Sequence, residues 1–293
     1  MRLRDLGLIL AVAGMLAGCS SGGRSLLALE DEKAAIREAL AKKIGAPQQE
    51  VDQALITSPE QERETAATVT QRLVKRVGTS QDRAMTAHLQ AIVENLALSV
   101  GAGDKNFRVI LLKSNQANAF TPGAGTILVN EGLLQLAENE AQVAAVMSHE
   151  MAHVLLGHPQ RQKQIRLASK VGAHFMDDYT PTNLVDNVGK WLRIGGNATL
   201  NGMIRQQEMM ADSIAIDIMA KAGYDPHEMI RLLTKLRLRI PAKDRTSNVV
   251  YGNHPLTADR EKAAIEKVQR RYRSTKGIVT TPQYEKLVKP YRG

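Results

Sequence analysis

The chain has 293 residues, with 39 lysines and arginines against 30 aspartates and glutamates, a net charge of +9 at pH 7, and one cysteine. That length can bury a sizeable core, and a single thiol excludes an internal disulfide as the source of stability. A basic chain invites a nucleic-acid reading, but with three Phe, six Tyr and one Trp and no stacking motif, nucleic acid is excluded as a partner.

Arg2 and Arg4 form a positive leader, Leu6 to Met15 an apolar stretch, and Leu16-Ala17-Gly18-Cys19 a run of small residues ending in the lone cysteine. The apolar stretch is too short to cross a bilayer core of about 30 Å as a helix. Residues 1–18 therefore read as a lipoprotein signal peptide, with Cys19 as the lipidation site of the mature chain. Ser20 and Ser21 resemble outer-membrane retention signals, so the expected location is the periplasm, anchored to the outer membrane. Residues 19–80 are expected to form a tether and an N-terminal helical extension. Ser21 to Ser25 is the tether, Leu29 to Ile44 an amphipathic helix ended by Gly45, and Ser58-Pro59-Glu60-Gln61 the capped start of a helix running to Val77.

Asp82 to Val100 carries an apolar stripe at helical spacing, Met85, Leu89, Ile92 and Leu96. The period then changes to that of strands over Phe107 to Lys113, Gln116 to Thr121 and Thr126 to Asn130, the last two joined by Pro122-Gly123-Ala124-Gly125. A helix follows through His149-Glu150-Met151-Ala152-His153. Residues four apart lie about 40° from one another on a helix, so both imidazoles can reach one ion, while Glu150 is placed to act on a zinc-bound water as general base. His158 would point about 140° away from that face unless the helix ends at Gly157, which favours a capping or surface role.

A catalytic zinc takes a third protein ligand and keeps one position open. Glu208, on a helix that Gly223 ends, is the candidate, and Asp212 four residues on can accept the outer N–H of a ligating imidazole. Beyond it, Asp225-Pro226 opens a helix with Glu228 as its capping-box residue, and Thr257 to Tyr272 forms another. Residues 160–205 suggest helices that wall or cover a cleft.

The run Asn139 to His158, the segment Glu208-Met209-Met210-Ala211-Asp212 with Ala222-Gly223-Tyr224-Asp225-Pro226, and Asn253-His254-Pro255 with Arg260 together resemble the HtpX and CAAX-prenyl-protease-like zinc metallopeptidases, metallopeptidase family forty-eight. The resemblance spans about Ala84 to Val268 and implies a gluzincin fold. It implies His149, His153 and Glu208 as ligands of one Zn2+ per chain, Glu150 as base, Asp212 as outer support or proton donor, and His254 as a donor to the developing oxyanion. Asn118-Ala119-Phe120 resembles the edge strand with which thermolysin-like peptidases bind extended substrate.

The expectation is an α+β fold, mostly helical, with a small β-sheet beside the HExxH helix, organised as a peptidase domain over 81–275 and a C-terminal tail over 276–293. Its function would be zinc-dependent cleavage of misfolded or unassembled envelope proteins. The alternative is an outer-membrane protein assembly or quality-control factor in which binding dominates. Nothing in the sequence fixes an oligomeric state.

Overall fold

The computed structural model describes residues 59–159, 205–239, 250–251, 254–255 and 258–292. The signal peptide, Cys19, the helix expected over Leu29 to Ile44 and the segment 160–204 lie outside the described residues. From Glu62 onward, the described residues belong to one compact unit.

Helix α1 (Pro59–Val77) opens on the expected proline and ends before Gly78, whose φ is 80°. Helix α2 (Arg83–Ser99) is capped by Asp82, whose carboxylate accepts the Met85 N–H at 2.8 Å. Its stripe of Met85, Leu89, Ile92 and Leu96 is buried. Three strands follow, β1 (Arg108–Leu112), β2 (Ala119–Gly123) and β3 (Thr126–Asn130), in the order β1-β3-β2. Strand β3 pairs parallel with β1 and antiparallel with β2, and all five of its residues are buried. The middle of a central strand covered on both faces is apolar, which is why Ile127-Leu128-Val129 carries no alternation.

After the short α3 (Glu131–Leu136), helix α4 (Glu140–Leu155) passes through the middle of the domain. Asn139 caps it, accepting the Gln142 N–H at 2.9 Å. From Glu140 to His153 every residue except Val146 is buried. The helix packs against α2, β2, β3 and the later helix α6 (His227–Arg239). The small side chains of Ala141, Ala144, Ala145 and Ala152 permit that close approach, while Met147 and Met151 fill the remaining space with no exposed surface. Truncating either methionine to alanine would cost about 2–5 kcal/mol. Gly157, at φ 65°, turns the chain out of the helix.

Residues 205–221 form α5, followed by α6, the two-residue strands β4 (Val250–Tyr251) and β5 (His254–Pro255), α7 (Ala258–Arg271) and α8 (Pro282–Arg292). Two sequence expectations are corrected here. Glu228 does not close a capping box: its carboxylate accepts from Asn139 Nδ2 at 2.9 Å and Gln142 Nε2 at 3.0 Å and pairs with Arg231, so it ties α6 to the start of α4. The segment read as a tail over 276–293 contains α8, with Thr281 Oγ1 accepting the Tyr284 N–H at 3.2 Å. Tyr284 and Val288 are fully buried, and α8 packs on α2 and α3. The approach is close: a Cβ on Gly277 would lie 2.4 Å from the Tyr224 carbonyl carbon.

The result is a mostly helical α+β domain with a small sheet beside the central helix, as expected. No helix among the described residues is long and apolar enough to cross a membrane.

Candidate metal centre

The four-residue spacing on α4 brings His149 and His153 to one face, with their Nε2 atoms 3.0 Å apart. Helix α5 lays Glu208 against them, Oε2 at 3.4 Å from His149 Nε2 and Oε1 at 3.3 Å from His153 Nε2. Strand β5 supplies His254, whose Nδ1 lies 3.0 Å from both Glu208 oxygens and 3.2 Å from His149 Nε2. The four residues offer donor atoms within 4.8 Å of one another.

A tetrahedral ion with bonds of about 2.0–2.1 Å separates its ligand atoms by roughly 3.3 Å, which matches this spacing. Ring nitrogens packed so closely cannot satisfy one another, because each contact needs one proton and His149 Nε2 meets several acceptors at once. A divalent cation at the centre of the set resolves the conflict, so the residues present fit a metal.

Supporting contacts run outward from the donors. His149 Nδ1 lies 2.8 Å from Asp212 Oδ1. Arg260, from the first turn of α7, donates Nε to Asp212 Oδ2 at 2.6 Å and Nη2 to Oδ1 at 2.7 Å, and its Nη1 sits 2.9 Å from Glu208 Oε2. The outer nitrogen of His153, Nδ1, is 2.8 Å from Nδ1 of His158, which is buried. That role departs from the surface or capping role expected for His158. The physical reason is Gly157: α4 ends at Leu155, and the left-handed turn folds His158 back behind His153.

Glu150 is 2% exposed, with Oε1 3.3 Å from His254 Nε2 and Oε2 meeting no hydrogen-bond partner among the described residues. Burial opposes its charge, yet His254 first and then His149 and His153 hold its pKa below the usual carboxylate range. Glu208 is likewise depressed against burial, by the hydrogen bonds of His149, His153 and His254, and Asp212 by Arg260 and His149. Burial lowers the pKa of His153 below that of a free imidazole. For His149 and His254 the carboxylates overcome burial, Asp212 and Glu208 raising the first, Glu150 and Glu208 lifting the second to about 10. With the imidazoles neutral, as metal ligation requires, Glu150, Glu208 and Asp212 against Arg260 leave two negative charges, the complement of a divalent ion.

Strand β2 packs against α4, and among the described residues its second edge is unpaired. Asn118 O accepts the Asn130 N–H at 3.0 Å, and the ladder continues as Ala119↔Val129 and Phe120↔Leu128. In an antiparallel ladder alternate residues direct both backbone groups to the same neighbour. Asn118 and Phe120 therefore spend theirs on β3. Of the three residues expected to bind substrate, Ala119 is the one whose N–H and C=O face the free edge.

Comparison with known proteins gives the same picture. Peptidase family M48 matches residues 83–268. The beta-barrel assembly-enhancing protease of Escherichia coli strain K12 is 26% identical over 190 residues, 61% of this chain and 38% of that protein. Metalloprotease LoiP of the same strain is 26% identical over 175 residues, 59% of this chain and 66% of LoiP. The mitochondrial metalloendopeptidase OMA1 of Arabidopsis thaliana is 27% identical over 158 residues, 54% of this chain and 28% of OMA1. The chain thus spans less than half the length of the first and third of these relatives.

Proposed function

The chain belongs to peptidase family M48, and from that premise we propose that it is a zinc-dependent endopeptidase of the bacterial cell envelope, hydrolysing peptide bonds of misfolded or unassembled envelope proteins. The observation that carries this reading is the convergence of His149, His153 and Glu208 on one point with the buried carboxylate of Glu150 beside it. These three residues would hold one zinc per chain. When bound, zinc supplies a Lewis acid that polarises the scissile carbonyl and lowers the pKa of water toward neutrality.

The chain's own residues do the rest. Glu150, ionised and with Oε2 uncommitted, takes the proton from the attacking water and delivers it to the leaving amine. Asp212 fixes the His149 ring through its Nδ1, and His158 does the same for His153. The outward backbone groups of Ala119 pair with an extended substrate whatever its side chains, which suits a peptidase acting on unfolded chains. His254 donates to the oxyanion; in the structure its Nδ1 occupies the fourth corner of the donor set, so turnover requires its imidazole to withdraw from that corner.

Export through residues 1–18 and acylation of Cys19 would hold the enzyme at the outer membrane facing the periplasm. Palmitate should label the wild type and not Cys19→Ala, and labelling that survives the substitution rules the anchor out. The domain boundaries at 18 and 80 belong to the same proposal. A second reading, an assembly or quality-control factor in which binding dominates, is favoured by the name of the beta-barrel assembly-enhancing protease. Casein cleavage by the purified mature protein decides between them: the peptidase reading requires turnover that 1,10-phenanthroline abolishes and zinc restores. Binding of unfolded outer-membrane proteins without turnover would support the alternative.

A further inference from the structure

Arg260 stands where helix physics disfavours it. It lies in the first turn of α7 (Ala258–Arg271), at the end of the helix where the backbone dipole repels a cation. It is also 4% exposed, and burying a guanidinium carries a desolvation cost that ion pairs often fail to recover. Stability alone therefore does not explain it. What it touches does: a two-toothed grip on Asp212 at 2.6 and 2.7 Å, and a third contact with Glu208 Oε2 at 2.9 Å.

Asp212 holds His149, and Glu208 lies against both His149 and His153. One planar group thus bridges the carboxylate that faces the donor set and the carboxylate that orients it. We propose that Arg260 is a positioning residue of the metal centre: it locks the Glu208 and Asp212 carboxylates in one arrangement beside the imidazoles. This rests on the metallopeptidase reading above. The planar fork matters as much as the charge, because a lysine ammonium cannot span two carboxylates with fixed orientation. The segment that carries His254 also carries Arg260 six residues on, so β5 and the start of α7 together close the site over α4 and α5.

The test uses the full mature protein with Co2+ in place of zinc, reading the visible absorption of the bound ion, together with the rate at which zinc is lost to a chelator. Arg260→Lys should remain folded by circular dichroism, show a changed Co2+ spectrum and lose zinc roughly 10- to 100-fold faster, the usual scale for a partner that orients a ligand. Lys267→Met is the control. Lys267 ties the same helix through Ser213 Oγ at 2.8 Å and Asp217 at 2.6 Å, so its loss should lower the melting temperature and leave the spectrum unchanged.

The proposal is overturned by a folded Arg260→Lys with the wild-type spectrum and zinc retention, or by equal spectral changes in Lys267→Met. It is also overturned if both Arg260→Lys and Arg260→Gln fail to fold, which would make the guanidinium a structural tie. A wild type that takes up neither Co2+ nor zinc overturns the metal-centre reading itself, and this proposal with it.

Discussion

Helix α4 buries polar side chains at both of its ends, and the two ends are built on opposite principles. At the N-terminal end the carboxylates of Glu140 and Glu228 meet donors. Glu140 accepts from Tyr224 Oη at 2.8 Å and from Thr281, with His88 Nε2 at 3.5 Å, while Asn139 and Gln142 both donate to Glu228. A carboxylate at the first position of a helix also gains from the dipole. At the C-terminal end like faces like: three imidazoles and a carboxylate converge on one point, and one oxygen of Glu150 has no partner among the described residues. A closed polar cluster is a fastening, whereas one whose members lack only a cation is a site.

Five substitutions can break or sharpen that contrast. The largest effect belongs to Glu150→Gln, which should retain metal and lose casein turnover by a factor of about 10² or more; full activity in that variant would return Glu150 to the fastening class. Next is the separation of ligand from support at Glu208 and Asp212. Glu208→Ala should empty the centre under dilute conditions, and Asp212→Ala should weaken zinc binding by roughly 10- to 100-fold while remaining loadable at high zinc. Equal retention by the two variants would show that the two carboxylates have been given the wrong roles.

His254→Ala sets the two possible duties of that side chain against each other through steady-state kinetics. If His254 serves the oxyanion, kcat falls by about 10² or more with metal intact, on the scale of losing one such donor; if it serves only to fill the fourth corner, kcat rises.

The smallest effect is at the other end of the helix. Glu140→Gln should leave zinc content unchanged and lower unfolding stability by about 1–3 kcal/mol at neutral pH in urea melts. Burial opposes the Glu140 charge, but His88, Thr281 and Tyr224 hold its folded pKa below the ordinary 4.5. Its contribution is therefore fully present above that ordinary value and fades as the pH falls through the lower folded one, so wild type and Glu140→Gln should converge in acid. A gap that stays constant down to low pH would mean that the charge is not what fastens this end.

Much of the C-terminal end was legible in the sequence, because HExxH and ExxxD spacings are statements about one helical face and survive without knowledge of packing. The resemblance read over Ala84 to Val268 coincides with the family match over 83–268. The N-terminal end was not legible, since Glu140, Tyr224 and Thr281 are far apart in the chain and only tertiary folding joins them. Glu228 shows the same limit: a helix-start pattern predicts a local bond, and the side chain took a longer-range one. One miss was local. Thr281-Pro282 repeats the start signal that Ser58-Pro59 displays, and it opens α8. Gly157, which the sequence left open as the end of α4, does turn the chain there and returns His158 to His153. The duty of Arg260 left no trace in spacing, because its partners lie on another helix.

The central claim, that the C-terminal end of α4 is a metal centre and the N-terminal end is not, is tested most directly by equilibrium dialysis of the metal-free protein against zinc, with His149→Ala and Glu140→Gln dialysed alongside. The account predicts one zinc per chain in the wild type and in Glu140→Gln, and none tightly held in His149→Ala. A wild type that takes up no zinc, or a His149→Ala variant that binds it as the wild type does, would contradict it.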